Sequence, residues 1–294
     1  MTPTPGAGTA ISQIAVCVKW VDLRPEIDLL TGSVATDERR FGFSAADQAA
    51  LELGKQFADQ SGAELTLLCA GPPAVEPALR ELSAIGVAQV VRVDLPLDAP
   101  SDQVGASLAA AMPTGVELIV CGDYSADRGS GSVPGFVAHR LGITQALGLL
   151  EVSADTDGGD VDDGQRLQAI RRLDGGRRER LAISTPAVIS VEGSVARLRR
   201  ASLHAILTAR SMPVDRRPPV ASGIGGAITG ASEPLRPRPR ALPAPVGARA
   251  LDRVIALTGA LVERTPPRRI EQPPSVAADA ILEQLRAWGY LDDA

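Results

Sequence analysis

Aromatic side chains are scarce in this chain: two Trp, two Tyr and four Phe among 294 residues, or 3%. A core must therefore be aliphatic, and the 45% hydrophobic content, mostly Ala, Leu, Val and Ile, allows one. Lysine is nearly absent, since Lys19 and Lys55 stand alone among 30 basic residues, the rest being arginine. Against 35 acidic residues this leaves a net charge of −5, with no basic excess to neutralise a phosphate backbone, so nucleic-acid binding is disfavoured. Three cysteines and two histidines, without CxxC or HxxxH spacing, exclude a disulfide framework and a structural zinc site, and no metal is expected. No apolar run approaches the roughly 20 residues that span a bilayer. The opening Met1-Thr-Pro-Thr-Pro-Gly6 lacks the basic and apolar regions of a signal peptide. Membrane insertion is thus not expected, and a cytoplasmic location is.

What is present has α/β texture. The length is large for one compact domain and small for two. Ile14–Val18, Glu64–Cys69, Gln89–Val93 and Glu117–Cys121 read as short buried strands. Between them lie three helical patterns: one capped by Ser44 and ended by Ser61-Gly62, one over 74–85 stopped by Gly86, and one over 103–112 ended by Pro113. This βαβαβαβ order predicts a doubly wound, mostly parallel sheet, whose ligands bind beyond the carboxyl ends of the strands. From about residue 145 further strands are expected over 146–152, 166–173, 180–184 and 187–191, with a Gly175-Gly176 hairpin, giving an additional antiparallel section. The acidic stretch 155–163 reads as a solvated loop tip, or else a cation site. Residues 212–247 hold eight prolines and no sustained periodicity, so they read as a linker or extended arm. A last helix capped by Ser275 carries Ala278, Ile281, Leu282, Leu285 and Trp288 on one stripe. It either docks on a partner or packs back on its own domain. The expected organisation is a loose N-terminus over 1–12, an α/β domain over 13–211, an arm over 212–262, and a docking segment over 263–294.

The stretch with most chemistry is Cys121-Gly-Asp-Tyr-Ser-Ala-Asp-Arg-Gly-Ser-Gly-Ser-Val133, after a strand and before a helix read over 134–141. Gly129, Ser130, Gly131 and Ser132 then stand at a helix N-terminus, where free N–H groups and the positive dipole end favour an anion. A phosphate site and a structural Gly-Ser turn both fit. The spacing matches neither GxxxxGK[ST] nor GxGxxG. Asp127 suits a ribose hydroxyl or a cap on its own loop, and Arg128 reads as solvated. Cys17, Cys69 and Cys121 end apolar strands and read as small hydrophobes. His139 and His204 have no nucleophile or carboxylate beside them in the pattern. No bond-making catalytic residue stands out, which points to a binding or carrier protein, and whether the chain is an enzyme stays open.

Several motifs in order resemble the electron transfer flavoprotein beta subunit family. Val16-Cys-Val-Lys-Trp-Val21 is similar to its opening VCVKxV strand, Asp47-Gln-Ala-Ala-Leu-Glu52 to its DExALE helix, and Leu68-Cys-Ala-Gly-Pro72 to its strand ending in GP. Ala84-Ile-Gly-Val-Ala88 resembles its AxGAD turn, and Gly122 to Val133 its adenylate loop without a gap. Asp174-Gly-Gly176 with Thr185-Pro-Ala-Val-Ile-Ser-Val191 is similar to its GG hairpin and PAVxxV strand. Ala201 to Leu207 sits where the family has a recognition loop, and Pro266-Pro-Arg-Arg269 with the last helix resembles its closing arm. Ser44-Ala45 replaces the usual Asn-Pro, Asp123-Tyr124 replaces Lys-Gln, and Pro134 stands where Gly is usual. These departures mark a divergent branch, with an actinobacterial redox-cofactor pathway such as mycofactocin one setting for it.

The resemblance implies a heterodimer with an alpha subunit that holds most of an FAD, while this chain buries an AMP. The implied adenylate contacts are Cys17, Ser44, Ala70, Gly122, Asp127, Gly129, Ser130, Gly131, Ser132 and Val133. Trp20 and Phe41 are candidate flavin-side residues, or else core. Leu203 is the implied apolar anchor for a partner dehydrogenase, against a plain packing role at a strand edge. The implied function is to carry electrons from a flavin-linked dehydrogenase to a quinone-directed or other acceptor. Two rivals remain at this point: a stand-alone adenine-nucleotide regulator, and a bifurcating flavoprotein subunit with FAD in the AMP site.

Overall fold

A computed structural model describes residues 11–154, 166–222, 244–245, 247–259 and 269–291. The chain divides into two units, 1–235 and 236–294. The first is built on a nine-stranded sheet. Its parallel part consists of β1 (Gln13–Val18), β6 (Glu64–Gly71), β7 (Gln89–Asp94), β8 (Leu118–Gly122), β9 (Thr144–Ala154), β12 (Ala187–Val191) and β13 (Val214–Arg217). Two antiparallel strands, β10 (Arg166–Arg172) and β11 (Arg178–Ser184), extend it past β9, giving the order β11-β10-β9-β12-β8-β1-β6-β7-β13. Beside it, β2 (Trp20–Asp22) pairs with β5 (Phe41–Phe43), and β3 (Glu26–Ile27) with β4 (Val34–Ala35). The doubly wound, mostly parallel sheet with an antiparallel section is the fold that the sequence predicts.

The winding follows from burial on both faces. Along β1, Ile14, Val16 and Val18 enter one apolar core while Ala15 and Cys17 enter the other. Helices α1 (Ala45–Ser61) and α2 (Glu76–Ser83) cover the first face, and α3 (Ser101–Ala110) and α4 (Val133–Leu141) the second. Helix α1 begins where expected: Ser44 Oγ accepts from the Asp47 N–H at 3.1 Å, and the Asp47 carboxylate accepts from the Ser44 N–H at 3.1 Å. It ends at Gly62, whose φ of 74° suits only a residue without Cβ. Helices α3 and α4 pack at Gly105, where a Cβ would lie 2.4 Å from Phe136 Cβ. Gly105→Ala is therefore expected to destabilise the unit by about 1–3 kcal/mol, read as a lower midpoint in thermal unfolding.

Two ion-pair clusters tie late segments to this body. Glu76, its side chain 8% exposed, accepts from Arg92 Nε at 3.1 Å and from Arg216 Nε and Nη2 at 2.9 and 3.0 Å, which pins β13 to α2. Glu52 accepts from the Arg199 backbone and guanidinium at 2.9–3.2 Å and so fixes the approach to α5 (Leu203–Ala209).

Four expectations change. The segment 212–247, read as without periodicity, contains β13, and the rest of the expected arm, up to 262, contains α6 (Ala250–Thr258). Ala201 to Leu207 is not a loop: Ser202 caps a short helix by accepting from the Ala205 N–H at 3.2 Å. Helix α7 (Pro274–Ala287) starts from Pro273, so Ser275 lies inside it, because the fixed proline φ at Pro274 already suits the first turn. At the N-terminus, Ile11 is buried and Ser12 N donates to Glu117 Oε2 at 2.6 Å. Residues 1–10, the acidic stretch 155–163 and most of the proline-rich arm lie outside the described residues. In the second unit no residue of α6 or α7 is buried, and both helices leave apolar side chains exposed, among them Leu251, Val254, Ile281 and Leu282, with Trp288 exposed just past α7. Among the described residues no helix is long and apolar enough to cross a membrane.

Candidate functional site

Strands β1, β6 and β8 end side by side, and beyond their carboxyl ends opens a cleft. Cys17, Ala70, Cys121 and Gly122 line it from the strand ends. Gly122 must lack a Cβ, which would stand 3.0 Å from Asp47 N and Ala46 Cβ at the start of α1. One wall is the loop into α4, with Ser130, Gly131, Ser132 and Val133. An apolar part of the lining comes from the connection between β7 and α3, with Leu97 and Ala99, and from α3 itself, with Val104 and Leu108.

The thiols are packing groups. Cys17 and Cys121 are register partners on β1 and β8, and the bond between them, with burial, pushes the Cys17 thiol well above its ordinary range. Burial takes Cys69 up to about 12. All three are free and buried, and burial keeps Cys17 and Cys69 as thiols at neutral pH.

Asp47 is the buried carboxyl at the cleft. Burial raises it from 3.8 to about 6, against the opposing pull of bonds from Ser44 Oγ at 2.7 Å, Ser44 N and Lys19 N. A carboxyl whose folded value exceeds its unfolded value favours the fold when protonated. That contribution is complete below pH 3.8 and is lost as pH rises through about 6. Asp47→Asn is expected to remove this slope: the stability of the wild type relative to the variant falls by up to about 3 kcal/mol between pH 4 and pH 6.5, then levels. Urea unfolding across that range reads it directly.

The mouth is bridged by charge. Lys19 Nζ reaches both Asp127 oxygens, at 2.6 and 2.7 Å, and Arg128 N donates to Asp127 Oδ1 at 2.9 Å. Arg128 is exposed, as expected, and also donates to the carbonyls of Ala99 and Asp98 at 2.9 and 2.7 Å. Gly131 adopts a φ of 56°, with the Asp123 carbonyl 2.1 Å from where its Cβ would be. Ser130 Oγ and Ser132 Oγ lie 3.1 Å apart at the start of α4.

Of the residues singled out in the sequence, Cys17, Trp20, Ala70, Gly122 and Ser130 to Val133 form walls. Ser44, Asp127, Gly129 and Phe41 do not, but each adjoins one that does. Ser44 spends its hydroxyl on Asp47, Asp127 holds Lys19, the Gly129 N–H donates to Ser125 O at 2.9 Å, and the Phe41 ring stacks on Trp20 at 4.5 Å. Leu203 is elsewhere, as the first residue of α5, and 73% exposed. The sequence reading missed Lys19, Asp47 and Arg128 as site residues and the whole β7–α3 wall. The capping box made Asp47 visible as a cap, and the doubly wound order placed the β7–α3 loop at the same end of the sheet.

Chemically, the cleft offers an apolar wall for a flat ring, hydroxyls and helix-end N–H groups for an anion, and a lysine at its edge. These residues fit an adenine nucleotide. Among the described residues no cluster of three or more metal-ligating side chains occurs.

Comparison with known proteins agrees with this layout. Residues 31–222 match the family model for the electron transfer flavoprotein domain. The electron transfer flavoprotein subunit beta of Chromohalobacter salexigens is 32% identical over 250 residues, 82% of this chain and 86% of that protein. The same-named protein of Mycobacterium tuberculosis is 31% identical over 174 residues, 58% of this chain, and the match spans 62% of its length. The acryloyl-CoA reductase electron transfer subunit gamma of Anaerotignum propionicum is 24% identical over 216 residues, 69% of this chain and 76% of that protein. The chain belongs to the electron transfer flavoprotein beta-subunit family.

Proposed function

We propose that this chain is the beta subunit of an electron transfer flavoprotein, with AMP in its cleft, paired with an alpha subunit that holds most of an FAD at their interface. The observation that carries the reading is the cleft at the ends of β1, β6 and β8, closed on one side by the Ser130–Ser132 loop at the start of α4, in a chain of this family. The FAD supplies the redox chemistry, accepting electrons from a dehydrogenase and passing them to a quinone-directed or other acceptor. The chain's own residues bind and position. Ser130, Ser132 and the α4 N-terminus take the phosphate, while Val104, Leu108 and Leu97 take the base. Cys17, Ala70 and Gly122 form the floor, Ser44 backs it through Asp47, and Asp127 and Gly129 brace the loop after β8. Trp20, backed by Phe41, is the side chain offered to the flavin. Leu203, exposed on a helix pinned through Arg199 to Glu52, is the apolar anchor for a dehydrogenase. The exposed apolar stripes of α6 and α7 favour a partner-bound subunit over a stand-alone nucleotide sensor.

Co-expression with an alpha-type chain, followed by gel filtration and a visible spectrum, tests the pairing. The expected result is a yellow 1:1 complex with one FAD. Two FAD per pair would make it a bifurcating type, and a colourless chain that ignores the alpha chain would overturn the flavoprotein reading.

A further inference from the structure

We infer that Arg128 is a positioning residue that straps the two walls of the cleft together and so sets how fast its occupant exchanges. The loop after β8 and the loop after β7 belong to different crossovers. Among the described residues, the polar contacts joining residues 122–132 to residues 95–100 are the two that Arg128 makes to Ala99 O and Asp98 O. The strap is anchored at its root as well. Arg128 N is held by Asp127, and Asp127 by Lys19 at the end of β1, so a continuous polar belt crosses the mouth from residue 19 to residues 98–99. Lys19, Arg128 and Ala99 all line the cleft, so the belt runs along its wall. A guanidinium suits the task because its fork donates to two carbonyls at once, and a charged donor makes the stronger kind of bond. Two of its five N–H groups go to the loop after β7, and in this account Arg128 acts on the occupant through closure.

The identity of the occupant rests on the adenylate reading; the strap does not. The test compares the 294-residue chain with Arg128→Ala and Arg128→Lys, following dissociation of AMP and of adenosine in rapid displacement, with hydrogen exchange of residues 95–101 measured on the free chain. Arg128→Ala is expected to speed release of both ligands by the same factor, about 10-fold, and to raise exchange in 95–101 while β12 is unchanged. Lysine, with one donor centre, recovers part of the effect. Acceleration of AMP release alone would make Arg128 a phosphate ligand and overturn the strap, and so would unchanged rates. If the wild type binds neither ligand, the adenylate reading fails, and the exchange measurement decides the strap: unchanged exchange in 95–101 overturns it.

Discussion

Gly131→Ala is expected to weaken AMP binding by about 100-fold, equivalent to about 2.7 kcal/mol. Two features combine at this position. Its φ of 56° lies in the left-handed region, which costs a residue with a Cβ about 1–2 kcal/mol. The added methyl would also stand 2.1 Å from the Asp123 carbonyl oxygen, a backbone atom that no rotamer change removes. The loop must shift, and Ser130 and Ser132 shift with it, away from the N-terminus of α4. Gly129 provides the control. Its φ of 64° is similar, but nothing lies within 4 Å of where a methyl would stand at that position, so Gly129→Ala bears the conformational cost alone and loses less than about 10-fold. Calorimetric titration of both variants with AMP separates these outcomes, and equal affinities for the two would remove the loop from the phosphate site.

Glu76→Ala is expected to cost about 3–5 kcal/mol of stability at neutral pH. Glu76 joins α2 to β7 through Arg92 and to the edge strand β13 through Arg216, and Arg80 of the same helix adds a contact at 3.4 Å. Removing it leaves Arg92, 4% exposed, with only the Gly71 carbonyl and the partly solvated Asp94, and leaves Arg216 with nothing to hold β13. The Arg216 bond, foremost, and those from Arg92 hold the Glu76 carboxyl down at about 2, against the cost of its burial. A depressed folded value means the contribution is complete above the ordinary 4.5 and is lost as pH falls through about 2. Urea unfolding at pH 7 is expected to show the loss, with faster hydrogen exchange over 214–217. A change under about 1 kcal/mol would mean that the cluster is incidental.

The contrast between these two sites shows what the sequence made legible. The central strands announced themselves because each is a short aliphatic run buried on both faces, and α1 because Ser44 and Ser61-Gly62 mark its ends. Strand β13 did not, since Val214-Asp-Arg-Arg217 has no apolar pattern and is held at the sheet edge by Arg216 on Glu76, 140 residues away. The floor of the cleft was readable from strand ends and the Gly-Ser loop. Its charged rim was not, because Lys19 meets Asp127 across 108 residues and Arg128 meets Ala99 across 29, separations that no local spacing encodes. Helix α5 was hidden for a different reason: its Ser202 cap is a local feature, but the resemblance assigned the stretch to a loop.

The central claim is that the cleft of this chain holds an adenylate. The most direct measurement is to heat-denature the purified 294-residue chain, alone and with its alpha-type partner, and identify the released nucleotide by chromatography. One AMP per chain, lost in Gly131→Ala and retained in Gly129→Ala, is the predicted result. Release of no adenine nucleotide, or of FAD in place of AMP, would contradict it.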